Sequence, residues 1–145
     1  MTPEEIKQRT KQYTLRVIRL VNALPPGRAS DVLGRQLLRS GTSVGANYRS
    51  ACRSRSDADF LARMGIVEEE ADEAVYWMEL LVESGLVPAR RLAPLMQEGN
   101  EILAMVVASI KTTRARVQRQ AKVRQSEIRN PKSEIRNSTC QESSS

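Results

Sequence analysis

The run RSGTSVGANYRSACRSR, residues 39–55, gathers two glycines, four serines and four arginines. These residue types hold phosphate when backbone amides and guanidinium groups converge on one point. The run lacks the G-x-x-x-x-G-K-[ST] spacing of a nucleotide-binding loop. A second cluster, EEEADE at residues 68–73, offers carboxylates of the kind that hold a pair of metal ions between helices. That chemistry needs inward-facing Glu-x-x-His motifs, and the chain has no histidine. The same absence removes Ser-His and Cys-His nucleophiles and the commonest general base. Cys52 and Cys140 lie far apart with no C-x-x-C spacing and read as free thiols. No catalytic residue, metal site or cofactor is expected, and the chain reads as non-enzymatic.

What these residues do depends on the elements that carry them. Thr2-Pro3-Glu4-Glu5 has a capping residue, a proline at the first helical position and a glutamate at the third. Ile6, Thr10, Tyr13, Val17, Leu20 and Leu24 then alternate at four and three spacing until LPPG ends the helix. Ser30 or Asp31 is expected to cap a second helix with its seam at Leu33, Leu37, Ser40, Val44, Asn47 and Ala51. Ser56 opens a third, with Phe60, Met64, Val67, Ala71, Ala74, Met78 and Leu81 inward and Gly85 as its stop. A fourth seam joins Leu92, Met96, Gly99, Leu103, Val106, Ile110, Thr113 and Val117; because Pro94 fits only in or near a first turn, a short turn or kink is expected before the main helix.

No strand pattern competes, so the fold class is all-α: an antiparallel up-down four-helix bundle with a disordered C-terminal tail. The bundle is assigned to residues 1–116 and the tail to residues 117–145. The tail holds a seven-residue near-repeat, SEIRNPK then SEIRNST, whose single isoleucine per period falls short of a coiled coil. No run of eighteen apolar residues and no basic, apolar leader is present. The chain therefore reads as soluble and cytoplasmic, without a membrane partner.

In this frame the stretch at residues 39–55 is helix. Ser40 and Asn47 fall on the seam, and Gly41 and Gly45 beside it let a neighbouring backbone approach. The arginines fall elsewhere. Arg35, Arg39, Arg49 and Arg53 form an outward stripe on the second helix; Arg9, Arg16 and Arg19 form another on the first. Residues 1–28 carry six basic and two acidic groups, residues 29–55 five and one, and residues 56–87 one and nine. One reading pairs these arginines with the third helix's glutamates. The other leaves them to contact phosphates of RNA or DNA. Aromatics are only 3% of the chain, so any such binding reads charge and shape, not stacked bases.

LLRSGTSVGANYRSA and DFLARMGIVEEEADEAVYWMELL resemble the bacterial four helix bundle protein family, first associated with intervening sequences in 23S rRNA genes. The similarity covers about residues 3 to 115. A related branch comprises the accessory proteins of diversity-generating retroelements, pentameric basic barrels that bind nucleic acid and a reverse transcriptase. The resemblance implies RNA or DNA as partner, and a reverse transcriptase or a ribosomal precursor as further ones.

Self-association is expected from the residues as well. AVYWMELLV, residues 74–82, holds one charge, and ILAMVVASI, residues 102–110, holds none. Val75, Tyr76, Trp77, Leu80 and Val82 lie outside the narrow seam and are assigned to an oligomer interface. Closed cyclic symmetry follows if one pair of patches repeats around an axis. The resemblance makes a homopentamer the preferred number.

Overall fold

A computed structural model describes residues 1–130 of the chain. Four helices follow one another: α1 (Pro3–Asn22), α2 (Arg28–Ala51), α3 (Asp57–Glu83) and α4 (Ala89–Arg129). There is no strand among the described residues. The backbone divides into two units, the first spanning Met1–Lys111 and the second beginning at Thr112.

Local chemistry sets the helix ends. Thr2 and Glu5 form the expected capping box: Glu5 N–H donates to Thr2 Oγ1 at 3.2 Å and Thr2 N–H donates to Glu5 Oε2 at 2.7 Å. The backbone bond from Thr2 holds the Glu5 carboxyl below its ordinary value. At α3, Ser56 Oγ accepts from Asp59 N–H at 3.1 Å. The far end of α3 closes on Gly85, whose φ of 79° few residues with a side chain adopt. There Leu86 N–H bonds the Leu81 carbonyl and Gly85 N–H bonds that of Val82, the paired bonds of a Schellman motif.

Two boundaries differ from the sequence reading. Helix α2 starts at Arg28, after Gly27, so neither Ser30 nor Asp31 is its cap; Ser30 is buried with its hydroxyl unpaired. Pro94 lies inside α4 rather than in a turn that precedes it. Pro94 and Arg90, the residue whose carbonyl loses its intrahelical donor, are both exposed, so water can satisfy that group.

In the first unit the helices are ordered α1, α2, α3, α4 around one core. Close approaches mark each neighbouring pair. A Cβ built on Gly41 of α2 would sit 2.8 Å from Val17 Cγ1 of α1. Arg39 of α2 bonds Glu70 of α3, Gly99 of α4 faces Val75 of α3, and Arg9 of α1 bonds Glu98 of α4. Every pair runs antiparallel, since higher numbers on one helix meet lower numbers on the next. Tyr13, Val17, Leu37, Val44, Met64, Val67, Met78, Leu81, Leu92 and Ile102 form the centre of the core.

The second unit departs from expectation. The sequence reading assigns residues 117–129 to a disordered tail, but α4 continues to Arg129. From Arg114 to Arg129 the sequence contains no glycine or proline and is rich in Arg, Gln, Ala and Lys, all strong helix formers. Extending an existing helix also avoids the cost of nucleation. The helix ends one residue short of Asn130, which precedes Pro131 and is biased away from helical geometry. The rest of the near-repeat, from Pro131 on, lies outside the described residues.

Candidate nucleic-acid interface

The seven arginines singled out by sequence do not act as one surface. Arg9 turns toward α4, where its Nε donates to Glu98 Oε1 at 2.5 Å and its Nη2 to Glu98 Oε2 at 3.1 Å and Glu101 Oε2 at 2.5 Å. Arg9 holds the Glu98 carboxyl below the usual carboxylate range, and the field of Arg16 adds to the effect. Arg39 turns toward α3, with Nη1 3.2 Å from Glu70 Oε2 and Nη2 bonded to Glu73. These two arginines follow the pairing reading, and the expectation that they stand free on an outer stripe is corrected. A long guanidinium stem on a flanking position reaches the next helix's carboxylates and satisfies them there.

Arg49 and Arg53 are placed differently. Both are exposed, Arg49 in the last turn of α2 and Arg53 in the turn that follows the helix, and both line a groove shared with the N-terminal half of α1. The groove measures about 440 Å³. Thr10, Thr14 and Gly45 lie deepest, and Lys7, Lys11, Ala46, Arg49 and Arg53 line it as well, with Glu4 as the single acid. The floor is low because small residues meet there: a Cβ on Gly45 would lie 3.4 Å from Thr10 Oγ1, and Thr14 Oγ1 donates to the Gly41 carbonyl at 3.2 Å. Lys7 pairs with Glu4 at 3.5 Å. Lys11, Arg49 and Arg53 form no ion pair among the described residues. Arg19 and Arg35 are exposed outside this groove, and Arg16 is half-buried beside Gln12, Tyr13 and Glu98.

Sequence reasoning missed Lys7 and Lys11. The signal was present in Thr10, Gly41 and Gly45: small residues mark the edge where two helices close up, and cations flanking that edge line whatever cleft remains. On the opposite side, between α3 and α4, Gly65, Glu68, Glu69 and Asp72 border a second groove with Leu103 and Val107. The first unit thus has two seams bridged by arginine, α1–α4 and α2–α3. Along its two other seams run grooves that are basic at α1–α2 and acidic at α3–α4.

The residues assigned to an oligomer interface also divide. Val75 is 6% exposed and packs toward Gly99 of α4, so it belongs to the core and that assignment is corrected. The reason is that the buried stripes are wide: Leu95 and Ile102 of α4 and Tyr48 of α2 are buried beside the narrow seams as well. Trp77 and Val82 pack partly against the core, and Leu80 is half-buried. Trp77 Nε1 donates to Glu73 Oε1 at 3.2 Å. Tyr76 is 51% exposed and stacks edge-on against Trp77, ring centroids 5.1 Å apart.

No helix among the described residues is long and apolar enough to cross a membrane. No curated protein matches the chain significantly. A crystal structure of a protein of unknown function from the S23 ribosomal protein family of Bacteroides thetaiotaomicron VPI-5482 superposes with a TM-score of 0.72 and 32% sequence identity. The match covers 77% of this chain and 99% of that one. The family model of the 23S rRNA-intervening sequence protein matches residues 4–108, a span that reaches all four helices. This four-helix chain, with its basic α1–α2 groove, belongs to the 23S rRNA-intervening sequence protein family.

Proposed function

We propose that this protein is a non-enzymatic, oligomeric helical bundle that binds structured RNA or DNA through the α1–α2 groove. It would then serve as an accessory factor to a ribosomal precursor or to a retroelement reverse transcriptase. The observation that carries the reading is that Lys11, Arg49 and Arg53 converge on one groove, whereas Arg9 and Arg39 are neutralised by neighbouring helices. A row of cations over a floor of hydroxyls and glycine fits a phosphate backbone, which such groups position without reading sequence.

On duplex DNA each phosphate contact contributes about −0.9 to the slope of log affinity against log salt. The triple variant Lys11→Gln, Arg49→Gln, Arg53→Gln is therefore expected to flatten that slope by about 2.7. A variant that folds normally and keeps the parent slope refutes the groove as the binding site.

A second reading, a protein-interaction scaffold without nucleic acid, is favoured by the acidic α3–α4 groove. A basic groove on one copy and an acidic groove on the opposite side of the next would join copies head to tail, and such contacts form rings where the rotation closes. Light scattering at low and high salt tests it: assemblies held this way dissociate as salt rises.

A further inference from the structure

The second unit carries a charge pattern that the bundle does not explain. Residues 112–129 hold six basic groups and one acid, Glu127, and lie beyond the span of the family match at residues 4–108. Residues 118–130 are exposed throughout, as is Arg114. At about 100° per residue, Arg114, Gln118, Lys122, Gln125 and Arg129 fall on one stripe along the helix. Arg119 lies about 100° to one side of it and Arg124 about 120° to the other. Glu127, the only acid, lies on the opposite face with Arg116. We propose that this segment of α4 is a DNA-docking helix that enters the major groove of a B-form duplex, with the Arg-Gln-Lys-Gln-Arg stripe toward the base edges and Arg119 and Arg124 toward the two phosphate walls.

The partner follows from charge and shape. A B-form major groove is about 12 Å wide and admits a helix flanked by phosphates on both sides, which is where the two outer arginines stand. Glutamine, lysine and arginine are the side chains that reach purine N7 and its neighbours there. The deep, narrow major groove of A-form RNA excludes a helix. An anionic membrane surface fits less well, because interfacial helices present a face of Trp, Phe or Leu, and residues 112–129 contain none. The proposal shares a nucleic-acid partner with the groove reading but concerns different residues.

The test uses the full chain with Arg114, Arg119, Lys122 and Arg124 all changed to Gln, beside the groove triple variant, on a DNA duplex and an RNA duplex of matched sequence. On DNA the α4 variant is expected to flatten the salt slope by up to about 3.6, and on RNA to change it little. DNA with 7-deazaguanine, which removes a major-groove acceptor without altering charge, should bind the parent chain more weakly and the α4 variant unchanged. Equal effects of the α4 variant on both duplexes, an unchanged slope on DNA, or retention by phosphatidylserine vesicles with no duplex binding would each overturn the proposal. Loss of slope in the groove variant alone would sustain the groove reading and sink this one.

Discussion

Gly41 and Gly65 both occupy helix interiors, yet alanine should act on them in opposite directions. At Gly65 a built Cβ meets nothing within 4 Å. Gly65→Ala should therefore show the whole helix-propensity gain, about 1 kcal/mol. At Gly41 the same Cβ would stand 2.8 Å from Val17 Cγ1, 3.1 Å from Cγ2 and 3.3 Å from Cβ. Val17 is fully buried, and a helical valine has one strongly preferred rotamer, so it cannot swing aside. The two helices must separate instead, at a cost of about 1–3 kcal/mol. Set against the same propensity gain, the net effect is a loss of about 1 kcal/mol. The variants should thus differ by about 2 kcal/mol, or about 8 °C in melting temperature at about 4 °C per kcal/mol. Thermal melts followed by circular dichroism measure this directly. Equal rises in both variants would refute the claim that α1 and α2 touch through Gly41.

Acidification probes the Arg9 network. Glu98 has a lowered folded-state pKa, so the unfolded chain takes up the proton first, near the ordinary value of about 4.3. Its stabilising contribution is complete above that pH and is lost as pH falls through the lower folded value; chemical denaturation of Glu98→Gln across this range should show a shallower acid dependence than the parent. Val75→Glu should unfold the protein, because it buries a charge, whereas Tyr76→Glu should leave the monomer's melting unchanged and lower the assembly mass in light scattering; an unchanged mass would place the subunit contact away from α3. Arg9→Gln should cost about 1 kcal/mol or less of stability, and Arg39→Gln should barely move the melt. Both should leave the salt slope of nucleic-acid binding intact, and a flattened slope would return these two to the binding surface.

Much of the core was legible because helix seams follow from spacing alone. Six of the seven residues placed on the α3 seam, all but Phe60, are buried. What spacing does not give is the width of each buried face. Val75, Leu95 and Ile102 are buried beside their seams because each helix touches two neighbours, and sequence cannot say which flank meets which helix. The arginines show the same limit: Arg9 and Arg39 each directly precede a seam residue, Thr10 and Ser40, and reach a neighbouring helix from that flank, whereas Arg49 lies farther from the seam and forms no ion pair among the described residues. The α4 extension escapes the sequence reading for another reason. Low apolar content argues against a core, but a helix already nucleated within a bundle can continue on propensity alone.

The arrangement of charge ties these results together. Two carboxylates of α4 and two of α3 are engaged by Arg9 and Arg39, and those bridges tie α1 to α4 and α2 to α3. Placing the bridges there leaves Lys11, Arg49 and Arg53 on one side with Glu4 as the only acid in their groove, and Glu68, Glu69 and Asp72 bordering the other. A bundle whose salt bridges were spread over all four seams would present a mixed surface with little field of either sign. Segregation instead sets a basic groove opposite an acidic one, an arrangement that would orient the molecule toward a polyanion before contact. On the proposed reading, the acids bordering the α3–α4 groove disfavour a polyanion there, and a strand would be met by α1 and α2.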